Sequence, residues 1–206
     1  MANPNAPFGL APVGTNSSSG PSWQSNRYWI PAADANAYFI GDIVKTTAAV
    51  GGDLYGVQQI VKITNGTDTP RGIIVGFDTT PQNIPSMQGT NVDLTQVSIP
   101  ASKARDYYVI VCDDPNVIFH VRGDTTGTNQ ILANMGKNAT LTVAAPTNAI
   151  LPLSATVVNS SSIAVTSTFI IRLLGNAQIV NNAVGASMIW RGRFNQHELT
   201  VNQTAI

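Results

Sequence analysis

The stretch YYVIVCDDPNVIFHVRGD, Tyr107 to Asp124, decides how the chain is read. It sets two adjacent aspartates and a cysteine ahead of a histidine and a third aspartate. Those are residue types of an acid–base or metal centre, and the same letters also spell strand, turn, strand. Tyr107, Val109 and Val111 alternate with Tyr108, Ile110 and Cys112, and both sets are apolar, so the first strand is expected to be buried on both faces. Asp114 suits the first position of a turn, Pro115 presets φ at the second, and Asn116 tolerates an unusual φ at the third. In the returning strand Val117, Phe119 and Val121 face opposite to Ile118, His120 and Arg122. His120 then lies about 13 Å or more from the turn along an extended strand, too far to share a metal with Asp114. The aspartates are read as turn formers that accept backbone N–H bonds. No catalytic, metal-binding or cofactor residue is assigned here, and Cys112 reads as a small buried hydrophobe.

Outward from this stretch, short apolar runs alternate with turn residues from Arg27 onward, which predicts an all-β fold. DIVKTTAAV and LYGVQQIVKI, separated by Gly51, Gly52 and Asp53, read as a hairpin, with Tyr55, Val57, Gln59, Val61 and Ile63 on one face. In RGIIVGF the two glycines suggest a bulge or the close approach of another strand. Residues 78–96 read as a long surface loop. LPLSATVV and SIAVTSTFIIRLL around NSSS predict a second hairpin, with Ser161, Ile163, Val165, Ser167, Phe169, Ile171 and Leu173 sharing a face. One short helix is expected in NQILANMG, with Asn129 as N-cap and Gly136 as terminator. The expected architecture is a single compact β-sandwich or barrel-like domain over residues 27–206, with an extended N-terminal arm over residues 1–26.

That arm, MANPNAPFGLAPVGTNSSSGPSWQSN, holds Pro4, Pro7, Pro12 and Pro21, which exclude a helix or a central strand. Phe8, Leu10, Val13 and Trp23 are apolar residues that a solvated tail does not need. The segment is therefore expected to be mobile in the free protein and to dock on another surface.

Composition narrows the function classes. The 206 residues carry 11 Lys+Arg and 11 Asp+Glu, a formal net charge of zero, so there is no field to neutralise many phosphates and nucleic acid is not the expected partner. No apolar run approaches the roughly 20 residues that span a bilayer, and the N-terminus has no basic region followed by an apolar core; no membrane partner is expected. The one cysteine excludes an internal disulfide. NQHEL lacks the second histidine of a HExxH helix, and GxSxG, Walker A and GxGxxG are absent. An enzyme is not expected. Near the C-terminus MIWRGRFNQHEL puts Trp190, Gly192 and Phe194 on a core face. Arg191, Arg193, Asn195 and His197 fall on the opposite one, which is either a solvated outer strand or a contact strip for an acidic patch on a neighbouring subunit.

Four blocks carry a resemblance: MANPNAPFGLAPVG, YWIPAADANAYFIGDIVK, PASKARDYYVIVCDDPNVIFHV and NQHEL. In wording, order and spacing they resemble a family of small structural proteins encoded in the head-gene clusters of tailed bacteriophages, most specifically over residues 1–45 and 100–121. Members with a suggested role look like capsid decoration or cement proteins. The resemblance implies a homotrimer on the exterior of an icosahedral virion, assembled in the host cytoplasm, bracing the major capsid protein against internal pressure, with no cofactor and no catalytic residues. The contacts expected on this reading are Phe8, Leu10, Val13, Trp23, Arg191, Arg193 and His197. A receptor- or glycan-binding head fibre or tail module is the alternative, with Trp23, Tyr28 and Trp29 stacking on sugar rings.

Overall fold

In the computed structural model of this chain, residues 3–16, 23–47, 52–53, 56–78, 96–127, 129–146 and 150–200 are described. Tyr55 and nearly all of the long loop expected at residues 78–96 lie outside them. The strands are, in chain order, β1 Leu10–Thr15, β2 Ser25–Ile30, β3 Tyr38–Phe39, β4 Ile43–Thr46, β5 Ile60–Lys62, β6 Gly72–Phe77 and β7 Ser98–Ile99. There follow β8 Tyr107–Cys112, β9 Val117–Arg122, β10 Asn138–Ala139, β11 Leu141–Thr142, β12 Val157–Val158, β13 Ile171–Asn176 and β14 Ile189–Phe194. The fold is all-β, as the periodicity predicts. Among the described residues the only helical geometry is two 3-10 turns, Leu132–Asn134 and Ser160–Ser162.

Two five-stranded sheets dominate. The first runs β1-β9-β14-β13-β10 and the second β2-β8-β6-β4-β5, with the small pairs β11-β12 and β3-β7 beside them. Every ladder between these strands is antiparallel. One core lies between the sheets, where Phe119, Val121, Leu173 and Trp190 from the first meet Ile43, Ile73 and Cys112 from the second. A second core is enclosed by the curl of the second sheet and covered by β3-β7, and gathers Tyr28, Ile30, Val44, Ile74, Val109 and Val111 with Tyr38 and Ile99. A lone bridge from Trp29 to Gln59 brings the outer strands of that sheet together without closing a barrel.

The Asp113–Asn116 turn is where the chain changes sheets. β8 and β9 do not pair with one another, so the expected strand–turn–strand is a corner between two layers and not a hairpin. This explains why β8 is apolar on both faces: Cys112 points into the first core, Val109 and Val111 into the second. Asp114 closes the turn, accepting from the Asn116 N–H through Oδ1 at 2.8 Å and from the Val117 N–H through its carbonyl at 3.2 Å. Asn116 does this without a positive φ.

β4 and β5 form the expected antiparallel pair, and Ile63 reaches the first core while Ile60 fills the second. The expected bulge falls between Ile74 and Gly76. The second predicted hairpin does not form. Asn159 accepts from the Ser161 N–H and hydroxyl, which winds Ser160–Ser162 into a 3-10 turn, β12 pairs with β11, and Val165 is 85% exposed. Of the proposed face Ile171 and Leu173 are buried in the first core, and Ile163 packs against it half-buried. The short helix is a single 3-10 turn preceded by Ile131; Asn129 gives no side-chain cap, and its carbonyl accepts from the Asn134 amide.

The N-terminal segment is extended, but the surface it docks on is this chain's own. β1 pairs antiparallel with β9, Leu10 opposite Val121 and Thr15 opposite Val117, and Pro12 is tolerated because β1 is an edge strand. Leu10 is buried in the first core, and its N–H donates to the Gly41 carbonyl at 3.1 Å. Gly9 and Gly41 both take positive φ, and a Cβ on Gly9 would strike the Gly41 carbonyl and the Ser154 side chain. β2 begins at Ser25, ahead of the boundary expected at Arg27.

Candidate functional site

The corner holds a buried polar network, and Asp113 is its centre. Only 2% exposed, Asp113 accepts from the Asn26 amide on both oxygens at 2.9 Å and from the Tyr28 hydroxyl at 2.6 Å. The Tyr28 hydroxyl in turn accepts from Arg71 Nε at 2.7 Å, and the Arg71 guanidinium stands 3.6 Å from the Asp113 carboxylate. Burial and the adjacent carboxylate hold the Tyr28 hydroxyl well above its usual range. The group is saturated by its own members, as a buried charge requires. It joins β2, the residue that leads into β6 and the sheet-switching turn. The reading of Asp113 as a turn former is therefore corrected: Asp114 alone forms the turn.

Beside it sit the residues that follow β14. His197, expected on the outer face of the last strand, is buried, because β14 ends at Phe194 and the chain turns inward. Its Nδ1 accepts from the Leu199 N–H at 3.1 Å, and its ring tilts against Phe194 with centroids 5.9 Å apart. Burial and the Arg71 charge push its pKa down to about 4. Glu198 follows the same inward course, accepting from the Thr46 N–H and hydroxyl at 2.9 and 2.8 Å while its own N–H donates to the Pro70 carbonyl. Asn195 donates to the Ser167 and Phe169 carbonyls.

A second anchor was equally invisible in the sequence. Lys103, its side chain fully buried, donates to the Asp34 and Asn36 carbonyls at 2.5 and 2.6 Å, and to the Asp34 carboxylate at 3.3 Å. Asp106 accepts from the Ala32 N–H at 2.7 Å. These bonds hold the loop before β8 against the loop before β3.

The remaining expected contacts divide. Trp23 is half-buried against the first core, and with Phe8, Leu10, Ile40, Val75 and Leu153 it lines an apolar cavity of about 430 Å³. Val13 is 37% exposed. Arg191 is exposed and Arg193 half-buried on the outer face of the first sheet, while Trp190, Gly192 and Phe194 face inward as predicted. Tyr28 is in the core and bonded to Asp113, so it presents no ring face to a sugar. Burial pushes the Cys112 thiol up to about 12. His120 sits mid-strand opposite Arg191, and burial and that charge lower its pKa. Among the described residues no three His, Cys, Asp or Glu side chains gather as metal ligands.

No family model, no curated protein and no solved structure matches this chain.

Proposed function

We propose that this chain is a structural virion protein, a decoration or cement protein that binds the major capsid protein and copies of itself on the exterior of a phage head. The observation that carries the reading is where the four resembling blocks sit. MANPNAPFGLAPVG supplies β1, which pairs with β9 from PASKARDYYVIVCDDPNVIFHV. The same block supplies β8, which pairs with β2, and Lys103 and Asp106, which grip YWIPAADANAYFIGDIVK. NQHEL closes on Thr46 and Pro70 next to the corner. The resemblance therefore falls on one connected structural unit and not on scattered words. Its polar side chains are occupied in bonds between segments of its own fold, which suits a brace better than a catalyst.

The reading is tested on purified virions by quantitative gel and by adding purified protein to heads stripped of it. A copy number close to that of the shell protein, with rebinding to stripped heads, supports it. A small fraction of that number, or binding to tails alone, overturns it in favour of a fibre or tail module.

A further inference from the structure

The basic side chains of this chain are matched almost one by one. Five are paired with carboxylates: Arg27 with Asp78, Lys45 with Asp68, Lys62 with Asp42, Arg71 with Asp113 and Lys103 with Asp34. Arg122 donates to the Ala6 and Ser187 carbonyls, Lys137 to Asn134, and Arg105 lies over the Tyr107 ring. Of the 11 lysines and arginines, all within the described residues, three remain. Among the described residues Arg172, Arg191 and Arg193 have no hydrogen bond, ion pair or ring contact, and the Nε of Arg193 is buried without a partner.

All three lie on the outer face of the first sheet. Arg172 on β13 stands directly opposite Arg193 on β14, and Arg191 stands opposite His120 on β9. None of the five strands of this sheet contains an aspartate or glutamate. Like charges directly across a ladder destabilise a sheet, so the arrangement costs the free protein stability. Leu174, 36% exposed, and Val13, 37% exposed, add apolar surface on β13 and on the edge strand β1.

We propose that this face binds an extended acidic protein segment carrying carboxylates at alternate positions. Arg191 and Arg193 are two residues apart on one strand, about 6.8 Å, the interval at which side chains recur on one face of an extended partner; Arg172 lies one strand over, about 4.8 Å away. Guanidinium forks take carboxylates two bonds at a time, and arginine is enriched where proteins meet. Nucleic acid is the poorer match, because the face carries no Phe, Tyr or Trp on which bases stack and a chain of zero net charge draws no polyphosphate from a distance. The inference rests on this face alone and not on the decoration role; on that role the acidic segment belongs to a neighbouring shell or decoration subunit.

The test is fluorescence anisotropy at low salt with three rhodamine-labelled probes: a peptide of alternating Glu and Thr, the same peptide with Gln for Glu, and an oligothymidylate. The Glu peptide should bind at least about tenfold more tightly than the other two, and Arg191→Glu with Arg193→Glu should weaken it by about tenfold or more. Should that variant fail to fold, Arg172→Gln takes its place, with the same direction of effect. Because no internal bond is lost, Arg172→Gln should melt no lower than the parent. Equal binding of the Glu and Gln peptides, no binding of either, or oligothymidylate binding as tightly as the Glu peptide would each overturn the proposal. No capsid enters the assay, so its failure and that of the decoration reading are distinguishable.

Discussion

Replacing Asp113 and Asp114 one at a time by asparagine separates two residues that are adjacent in sequence and unequal in structure. At Asp114 the asparagine keeps an Oδ1 that accepts from the Asn116 N–H, so the turn survives and the change should stay within about 0.5 kcal/mol. At Asp113 one oxygen becomes an amide. If Oδ2 remains and keeps the Tyr28 hydroxyl, the new amide at the Oδ1 position faces the Asn26 amide, donor against donor, and the Arg71 guanidinium, only 17% exposed, loses its counter-ion. Converting a charged bond to a neutral one forfeits about 1 kcal/mol, and an unsatisfied buried donor costs about 1–3 kcal/mol. A total near 3 kcal/mol lies at the lower end of what breaking a buried pair costs. For a chain of this length that is a fall of about 6–12 °C in Tm. Calorimetry on the two variants, with the urea midpoint as a second readout, decides it. If Asp113→Asn melts within a degree or so of Asp114→Asn, the network does not hold the corner together and the reasoning fails.

Three further outcomes follow from the geometry. Lys103→Met should cost about 3 kcal/mol in urea unfolding, because it strips the donor from two part-buried carbonyls and the counter-ion from the Asp34 side chain. His197 titrates at about 4 in the fold and near 6.5 once unfolded, so its contribution is complete above pH 6.5 and is lost as pH falls towards 4, on the order of 3 kcal/mol in all; His197→Gln should flatten that part of the stability–pH curve, and an unchanged curve would refute it. Leu10→Ala should lower stability by about 2–5 kcal/mol while Val13→Ala changes it by less than about 0.5 kcal/mol, a contrast that thermal melts resolve.

What could be read from the sequence was what depends on neighbours along the chain. Period-two alternation marked the inward face Trp190, Gly192 and Phe194, and the Asp114-Pro115-Asn116 signature placed the turn, because both are local rules. Which sheet each strand joins is not local. β8 and β9 look like a hairpin from their spacing, yet their hydrogen-bonding partners are β2 and β6 on one side and β1 and β14 on the other. The burial of β8 on both faces was the one hint, since a strand covered twice must lie between two cores. Asp113, Lys103 and Glu198 were unreadable for the same reason: their partners Tyr28, Asp34 and Thr46 are far away in the chain. The redundancy of two aspartates at a turn that needs one was the available signal for Asp113.

The N-terminal segment shows how a correct local reading leads to a wrong mechanism. Prolines and spaced apolar residues did mark an extended segment, and the inference that those apolar residues need a surface holds for Leu10. A mobile arm that orders only on an external partner would recover the burial of Leu10 at the moment of binding, against about 1–2 kcal/mol per residue of ordering cost. Here Leu10 is buried in the isolated chain, and β1 already has its ladder with β9. That free energy has been taken up in folding and is absent from any later binding step. What β1 still offers a partner is its outward side, where Val13 is exposed, and the free edge of the strand, where Pro12 and the bulge before Gly14 interrupt a continuous ladder. Removing residues 1–15 should therefore unfold the domain before it weakens any contact, and the proposed partner is better sought on the face of the sheet, where the unmatched arginines lie.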